Sequence, residues 1–187
     1  MNESSRMRNS SPEFEPVAIP ARIGLVADTH RRSGSRLGLP AEMLRGLDGC
    51  DLILHAGDLN SLDVIEQLDK IAPVAAVYGN NDEPGTIAAL PLTRFFSAGV
   101  HKLGLIHGHI PGRTARQSAI QVMEGVVDCA VYGHSHIPDV SMENGLLLVN
   151  PGSPTQRRWG PHRCYAIMSI DEEIDVEIVR LNEVEER

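Results

Sequence analysis

Apolar residues along the 187-residue chain gather in short runs that stop abruptly at polar ones. Arg22 to Ala27 (RIGLVA) runs into Asp28, Asp51 to Ala56 (DLILHA) into Gly57-Asp58, and Val74 to Tyr78 into Gly79-Asn80. Short runs bounded in this way predict buried strands that deliver a residue at their C-terminal ends. Between them, Pro40 to Leu47 carries proline at an early helical position. Ser61 to Ile71 spaces Leu62, Ile65 and Leu68 for one face behind a capping Ser61, so both segments predict helices.

The second half has extended segments at Arg94 to Ser97 and His101 to Ile106, a helix at Thr114 to Glu124 and a strand at Val127 to Tyr132. Val140 to Met142 and Leu146 to Val149 flank Glu143-Asn144-Gly145, and Asn-Gly favours the type I′ turn of a hairpin. Cys164 to Ile170 and Ile174 to Leu181 close the chain as two more strands. Strands that alternate with helices first and form hairpins later predict an α/β fold of two packed, mixed sheets flanked by helices. Ligands in such folds gather beyond the strand carboxyl ends.

Length fits one domain. The first 20 residues lack an apolar stretch and carry Glu3, Glu13 and Glu15, so they fail as a secretory signal and as an acid-poor transit peptide. The expected organisation is a disordered leader at 1–20, a single domain at 21–181 and an acidic tail at 182–187, in a cytoplasmic protein. With 17 Lys+Arg against 25 Asp+Glu the net charge is −8, which disfavours charge-driven binding to nucleic acid. Residues 171–187 hold eight acidic and two basic side chains, so most of that acidity belongs to the C-terminal end. No apolar run is long enough to span a bilayer. Cys50, Cys129 and Cys164 form no C-x-x-C pair and read as reduced core thiols.

In order, the strand ends read Asp28-Thr29-His30, Gly57-Asp58, Gly79-Asn80-Asn81-Asp82, His107-Gly108-His109, Gly133-His134-Ser135-His136 and Asn150-Pro151-Gly152-Ser153. One D-x-H or H-x-H is weak, because strand alternation alone creates such pairs. Six clusters in this order, each after an apolar strand, are a constellation. Aspartate, asparagine and histidine without cysteine offer oxygen and imidazole donors, which suit Mn, Fe, Zn, Ni or Mg and argue against a thiolate zinc site. The donors exceed one ion's needs. Were a carboxylate to bridge, they would serve two ions about 3.5–4 Å apart, an arrangement that activates water and clamps a transferring phosphoryl group.

These motifs (D-x-H, G-D, G-N-x-D, H-G-H, and G-H-x-H followed by N-P-G-S) resemble the calcineurin-like metallophosphoesterase superfamily, in its small YfcE-type phosphodiesterase branch. The resemblance covers residue 22 to about residue 181. It implies a four-layer sandwich with a dinuclear metal site at the strand C-terminal ends. Carried over residue by residue, it implies Asp28, His30 and His136 as ligands of one metal, Asn80, His107 and His134 as ligands of the other, and Asp58 as the bridge. It implies two divalent ions, manganese first and nickel, iron, zinc or magnesium as alternatives. A hydroxide held between them would attack a small or nucleotide-like phosphodiester in line with the leaving alcohol. Relatives commonly associate as dimers or tetramers, which makes a homo-oligomer an expectation of the same kind.

One position departs from the larger phosphatases of the superfamily, which have histidine after the metal-binding asparagine. Here it is Asn81, which donates a hydrogen bond but delivers no proton at neutral pH. Esters with acidic leaving groups, such as aryl diesters, are therefore expected to react faster than alkyl ones. His109, two residues from His107, is the nearest substitute acid. Asp82 is expected to orient the site without being a ligand. His55 is expected to be buried and bonded to backbone, and His101 and His162 to lie on the surface. Gly57, Gly79 and Gly133 are expected to permit tight turns. Arg31, Arg32 and Arg36, and again Arg157, Arg158 and Arg163, flank the motifs and could present guanidinium groups to a phosphodiester, with Trp159 between them as a stacking surface. Competing readings are a non-catalytic protein-binding scaffold on the same fold, a phosphomonoesterase and a nuclease.

Overall fold

In a computed structural model of the chain, residues 12–182 are described. The eleven strands among them are β1 (Glu15–Val17), β2 (Ala21–Val26), β3 (Leu52–His55), β4 (Val74–Ala76), β5 (Thr93–Ala98), β6 (His101–Ile106), β7 (Cys129–Tyr132), β8 (Asp139–Glu143), β9 (Leu146–Asn150), β10 (Cys164–Ile170) and β11 (Ile174–Arg180). Four helices accompany them: α1 (Ala41–Gly46), α2 (Asp63–Leu68), α3 (Pro84–Ala89) and α4 (Ala115–Met123). The strands form a six-stranded sheet in the order β1-β5-β6-β7-β9-β8 and a five-stranded sheet in the order β11-β10-β2-β3-β4.

Strand alternation explains the layering. Ile23, Leu25, Ala27 and Leu54 of one sheet meet Phe96, Leu103, Leu105, Val131 and Val149 of the other in the central core. Val26 and Ile53, one residue out of phase, face the opposite way and bury Met43 of α1, Leu47 at its C-terminal cap, and Val64 and Leu68 of α2. On the far side, Ile106, Ala130 and Leu148 cover Ala115, Ala119 and Met123 of α4. The result is helix, sheet, sheet, helix. Strands buried on both faces need apolar residues at nearly every position, so β2, β3, β6 and β7 read as continuous runs.

Within each sheet a parallel set decides where polar residues collect. β2, β3 and β4 run parallel, as do β6, β7 and β9. Each set therefore delivers its C-terminal ends to one edge.

The β8–β9 hairpin turns at Asn144 and Gly145, both at positive φ (50° and 83°), as a type I′ turn requires. Thr114 caps α4 through a reciprocal box with Gln117. The expected cap at α2 is displaced: Leu62 is the N-cap, and Ser61 Oγ accepts from the Asp63 N–H at 3.2 Å.

One expectation changes and one element is new. Glu15–Val17, within the expected disordered leader, is a strand that pairs in parallel with Phe96–Ala98. Arg94 Nε donates to Glu15 at 2.8 Å and Phe14 rests on Phe95, so this segment is held by the domain. Residues 1–11, and 183–187 of the expected tail, lie outside the described residues. Helix α3 has no counterpart in the sequence reading; it is one short turn-and-a-half begun by Pro84. No helix among the described residues is long and apolar enough to cross a membrane.

Candidate metal centre

The two parallel sets meet at a common edge. Asp28 and His30 follow β2, Asp58 follows β3, Gly79 to Asp82 follow β4, His107 follows β6, and His134 and His136 follow β7. Cross-sheet bonds draw them together: His134 N–H donates to Asp28 Oδ2 at 2.9 Å, and His107 Nδ1 meets the Ala56 carbonyl at 2.7 Å.

Two donor groups result. Asp28, His30 and His136 form one, and Asp58, His107 and His134 form the other. Asp28 Oδ1 lies 3.4 Å from His136 Nε2 and 4.0 Å from His30 Nε2. Asp58 faces both groups, with Oδ1 3.4 Å from His107 Nε2 and Oδ2 3.7 Å from His30 Nε2.

The proton positions test whether a cation fits. His107 Nδ1 lies against the Ala56 carbonyl, His136 Nδ1 against the Gln156 carbonyl at 2.7 Å, and His30 Nδ1 against Asn60 Oδ1 at 3.1 Å. Each oxygen requires a proton on Nδ1, which in neutral His30 and His136 leaves Nε2 as a lone pair turned into the site; His107, raised by Asp58 and Asp28, favours a second proton on its Nε2, 3.4 Å from Asp58 Oδ1, until a cation replaces it. His30 Nε2 and His136 Nε2 then confront each other at 3.1 Å, with the Asp28 carboxylate beside them. Asp28 Oδ1, His107 Nε2 and His134 Nδ1 are buried without a hydrogen-bond partner. Lone pairs and carboxylates that converge in this way repel one another once deprotonated, and a cation resolves that repulsion. The residues fit divalent metal.

Charge states follow from burial. Burial pushes Asp28 up to about 7, aided by the neighbouring Asp58 charge. Burial alone would raise Asp58 as well, but His107 and the two Asn81 donors hold it well below the usual carboxylate range. Burial also lowers His30 and His134, and brings His136 down to about 4, keeping these imidazoles neutral near pH 7 and ready to ligate.

Backbone strain concentrates at this edge. Eight non-glycine residues among those described have positive φ, and seven belong to the site: Asp28, His30, Asp58, Asn60, His134, His136 and Arg158. Such conformations cost about 1–3 kcal/mol each and persist only where the surroundings over-determine them. Here Asp28 N–H is tied to Gly57 O and His30 N–H to Asp58 O, each at 3.0 Å. Below them, Ser153 Oγ donates to Asp28 O at 2.8 Å and Thr155 Oγ1 to Thr29 O at 2.9 Å, which makes the N-P-G-S segment a brace.

The remaining candidates fall into place unevenly. Both Asn80 and Asn81 are exposed on one turn, and Asn81 turns its amide onto Asp58. Asp82 is buried and accepts from Asn60 N–H at 2.6 Å and Gly79 N–H at 2.7 Å, so it fixes the loop carrying Asn80 and Asn81. The His109 ring lies 5.3 Å from that of His107. Burial and His107 lower its pKa, so it is neutral near pH 7 and ill-suited to deliver a proton there. His55 is buried as expected, but its Nε2 meets the Thr29 hydroxyl at 3.1 Å and not backbone. Gly79 and Gly133 do not have positive φ. A Cβ on Gly79 would sit 2.2 Å from Asp58 Oδ1, and one on Gly133 would sit 2.9 Å from Ala56 O. Close approach, not a turn, requires glycine there.

Of the arginines flanking the motifs, Arg158 reaches the donors, its Nη2 3.5 Å from His30 Nε2. Arg31 is bonded to Gly38 O and Arg163 to Asn182 O. The sequence singled out no one of the six; position in a loop is settled only by folding.

An α/β sandwich with neutral imidazoles and carboxylates converging at a shared strand edge is a scaffold for metal-dependent hydrolysis. The calcineurin-like phosphoesterase superfamily domain matches residues 22–173, and the chain belongs to that superfamily of phosphoric ester hydrolases. A probable metallophosphoesterase of Methanothermobacter thermautotrophicus is 34% identical over 159 residues, covering 84% of this chain and 91% of its own. A phosphodiesterase of Methanocaldococcus jannaschii is 27% identical over 147 residues, covering 70% and 82%. Among solved structures, Entamoeba histolytica Vps29 complexed with Zn2+ superposes with a TM-score of 0.65 at 25% identity, covering 86% of this chain and 99% of that one. A novel archaeal phosphodiesterase gives 0.65 at 21%, covering 84% and 99%.

Proposed function

We propose that the chain is a phosphodiesterase that works with two divalent ions. The observation that carries this reading is the placement of Asp58 between Asp28, His30 and His136 on one side and His107 and His134 on the other, within 3.7 Å of a histidine on each. Asp28, His30 and His136 would hold one ion, and His107 and His134 the other. Asp58 would be shared between them, and Asn80 remains in the second set on the family resemblance.

When bound, such a pair lowers the pKa of water to about 7 and withdraws charge from phosphoryl oxygens. The chain's own residues do the rest. His30 and His136 keep Nε2 unprotonated, because an amide or carbonyl oxygen fixes the tautomer and burial keeps the ring neutral, whereas His107, raised by the Asp58 and Asp28 carboxylates, would have to give up its Nε2 proton to ligate. Asn81 orients the Asp58 carboxylate and is thereby a positioning residue, not a donor to the leaving group. Arg158 offers a guanidinium fork to the phosphate oxygens from the His30 side. His109, the histidine beside the donor groups, is neutral near pH 7 and has no proton to give there, which favours leaving groups that depart as anions. The relatives named as phosphodiesterases support the diester class.

The test is hydrolysis of bis(p-nitrophenyl) phosphate and p-nitrophenyl phosphate by purified protein stripped of metal and reloaded with Mn, Ni, Mg or Zn. Metal-restored cleavage with preference for the diester is expected. Bound metal without cleavage of any ester, or no metal uptake, would transfer the protein to the scaffold reading.

A further inference from the structure

Next to the candidate centre, on the side of His107 and His134, lies a cavity of about 260 Å³. Its walls are Tyr78, Leu92, Ile106, Ile110, Pro111 and Val122, with His109 and Thr93 completing the rim. No aspartate, glutamate, lysine or arginine lines it. His109 is the partition: its ring is 5.3 Å from the His107 ring on one side and 5.8 Å from the Tyr78 ring on the other. Arg158 stands at the opposite end, against His30.

Resting on the phosphodiesterase reading above, we infer that this cavity is the subsite for one ester group of the substrate, an uncharged planar ring of aryl or nucleobase size. The phosphate occupies the polar ground between Arg158 and His109, and its organic substituent extends past His109 into the apolar cavity. The volume lies just below the roughly 300–1,000 Å³ of pockets for drug-sized ligands, so it holds a single ring system and not a chain of them. The absence of charged walls excludes a second phosphate or a charged headgroup, which would be stripped of water without a partner. Tyr78 and His109, tilted 54° to each other, give an entering ring faces and edges to pack on. The sequence reading looked to Trp159 for this stacking, but Trp159 is 86% exposed.

Non-hydrolysable phosphonates separate this inference from the function on which it rests. With the metal-loaded protein, phenylphosphonate is expected to bind at least about tenfold tighter than methylphosphonate by calorimetry. Val122→Trp, which fills the cavity from α4, should bring the two within about twofold while leaving methylphosphonate unchanged. Leu92→Trp, on the half-exposed part of the wall, serves if that variant does not fold. In a second arm, phenol and thymidine are titrated into metal-free protein and followed by NMR. Saturable shifts at Thr93, Ile110 and Val122 with either are expected, and the stronger of the two distinguishes an aryl from a nucleobase occupant. Equal phosphonate affinities, or no saturable shift with either ring, overturn the subsite and leave the cavity to another occupant, such as a partner protein's side chain. Failure of the phosphodiesterase reading shows separately, as absence of metal-dependent cleavage.

Discussion

Asn81 holds Asp58 by both ends: its side-chain amide donates to Asp58 Oδ2 at 2.6 Å and its backbone N–H to Oδ1 at 2.8 Å. The carboxylate placed to serve both donor groups is thus fixed by a residue outside them. A hydrogen bond to a charged group contributes about 1.5–3 kcal/mol, and loss of a partner that orients a metal ligand typically lowers metal affinity about 10–100-fold. Asn81→Ala should show a loss in that range by competition with a fluorescent chelator, with the fold intact by circular dichroism. An unchanged affinity would remove Asn81 from this positioning role.

Gly79 supports the same carboxylate from the other side. Because a Cβ there would lie 2.2 Å from Asp58 Oδ1 and 2.5 Å from the Asp58 backbone nitrogen, neither of which is a flexible tip, Gly79→Ala must displace one of them. Metal content by mass spectrometry of the purified variant is expected to fall to less than half of wild type. Gly85→Ala, six residues on with open space around it, should leave metal content unchanged.

Much of this architecture is legible in the sequence because the strands that build the edge are buried on both faces. Ile23, Leu25, Val26, Ile53 and Leu54 must all be apolar, so the first polar residue after each run marks the edge where ligands collect. The hairpin and the α4 cap are legible for a different reason, since Asn-Gly and Thr-x-x-Gln are local chemistry. What escapes is short or non-local. β1 is three residues with a proline, and α3 is six residues without an apolar stripe, so neither offers a period to detect. The positive φ values at Asp28, His30, Asp58, His134 and His136 are imposed by bonds between distant strands. Arg158 and Asn81 acquire their partners 128 and 23 residues away, through the fold alone.

Metal uptake should expel a proton. In the metal-free protein burial and the Asp58 charge raise Asp28 to about 7, so below that pH its carboxyl keeps a proton that a metal must displace. His136, lowered to about 4, is already neutral and releases nothing near pH 7. The sign is set by Asp28 and by His107, whose pKa the Asp58 and Asp28 carboxylates raise, and both act the same way: apparent affinity rises as pH increases from about 5.5 to 7.5. Calorimetry in two buffers of different ionisation enthalpy is expected to detect proton release that is larger at pH 6 than at pH 8.5. Uptake independent of pH across this range would contradict the protonated state.

Arg158 stands over the centre without belonging to the donor groups. Its backbone is at positive φ, 42°, and its Nη2 lies 3.5 Å from His30 Nε2, so a guanidinium is brought against a nitrogen proposed to ligate metal. A cation beside a cation site is unfavourable until an anion arrives to share both, which is the situation of a phosphate bound there. Arg158→Ala should raise the KM for bis(p-nitrophenyl) phosphate about tenfold and weaken inhibition by inorganic phosphate in parallel, with metal content unaltered. Arg158→Lys should recover only part of the loss, because an ammonium is a point charge that does not reproduce the bidentate fork. If both variants keep the wild-type KM and the same sensitivity to phosphate, the guanidinium faces solvent in the working enzyme and the phosphate is held by the metal ligands' side of the site alone.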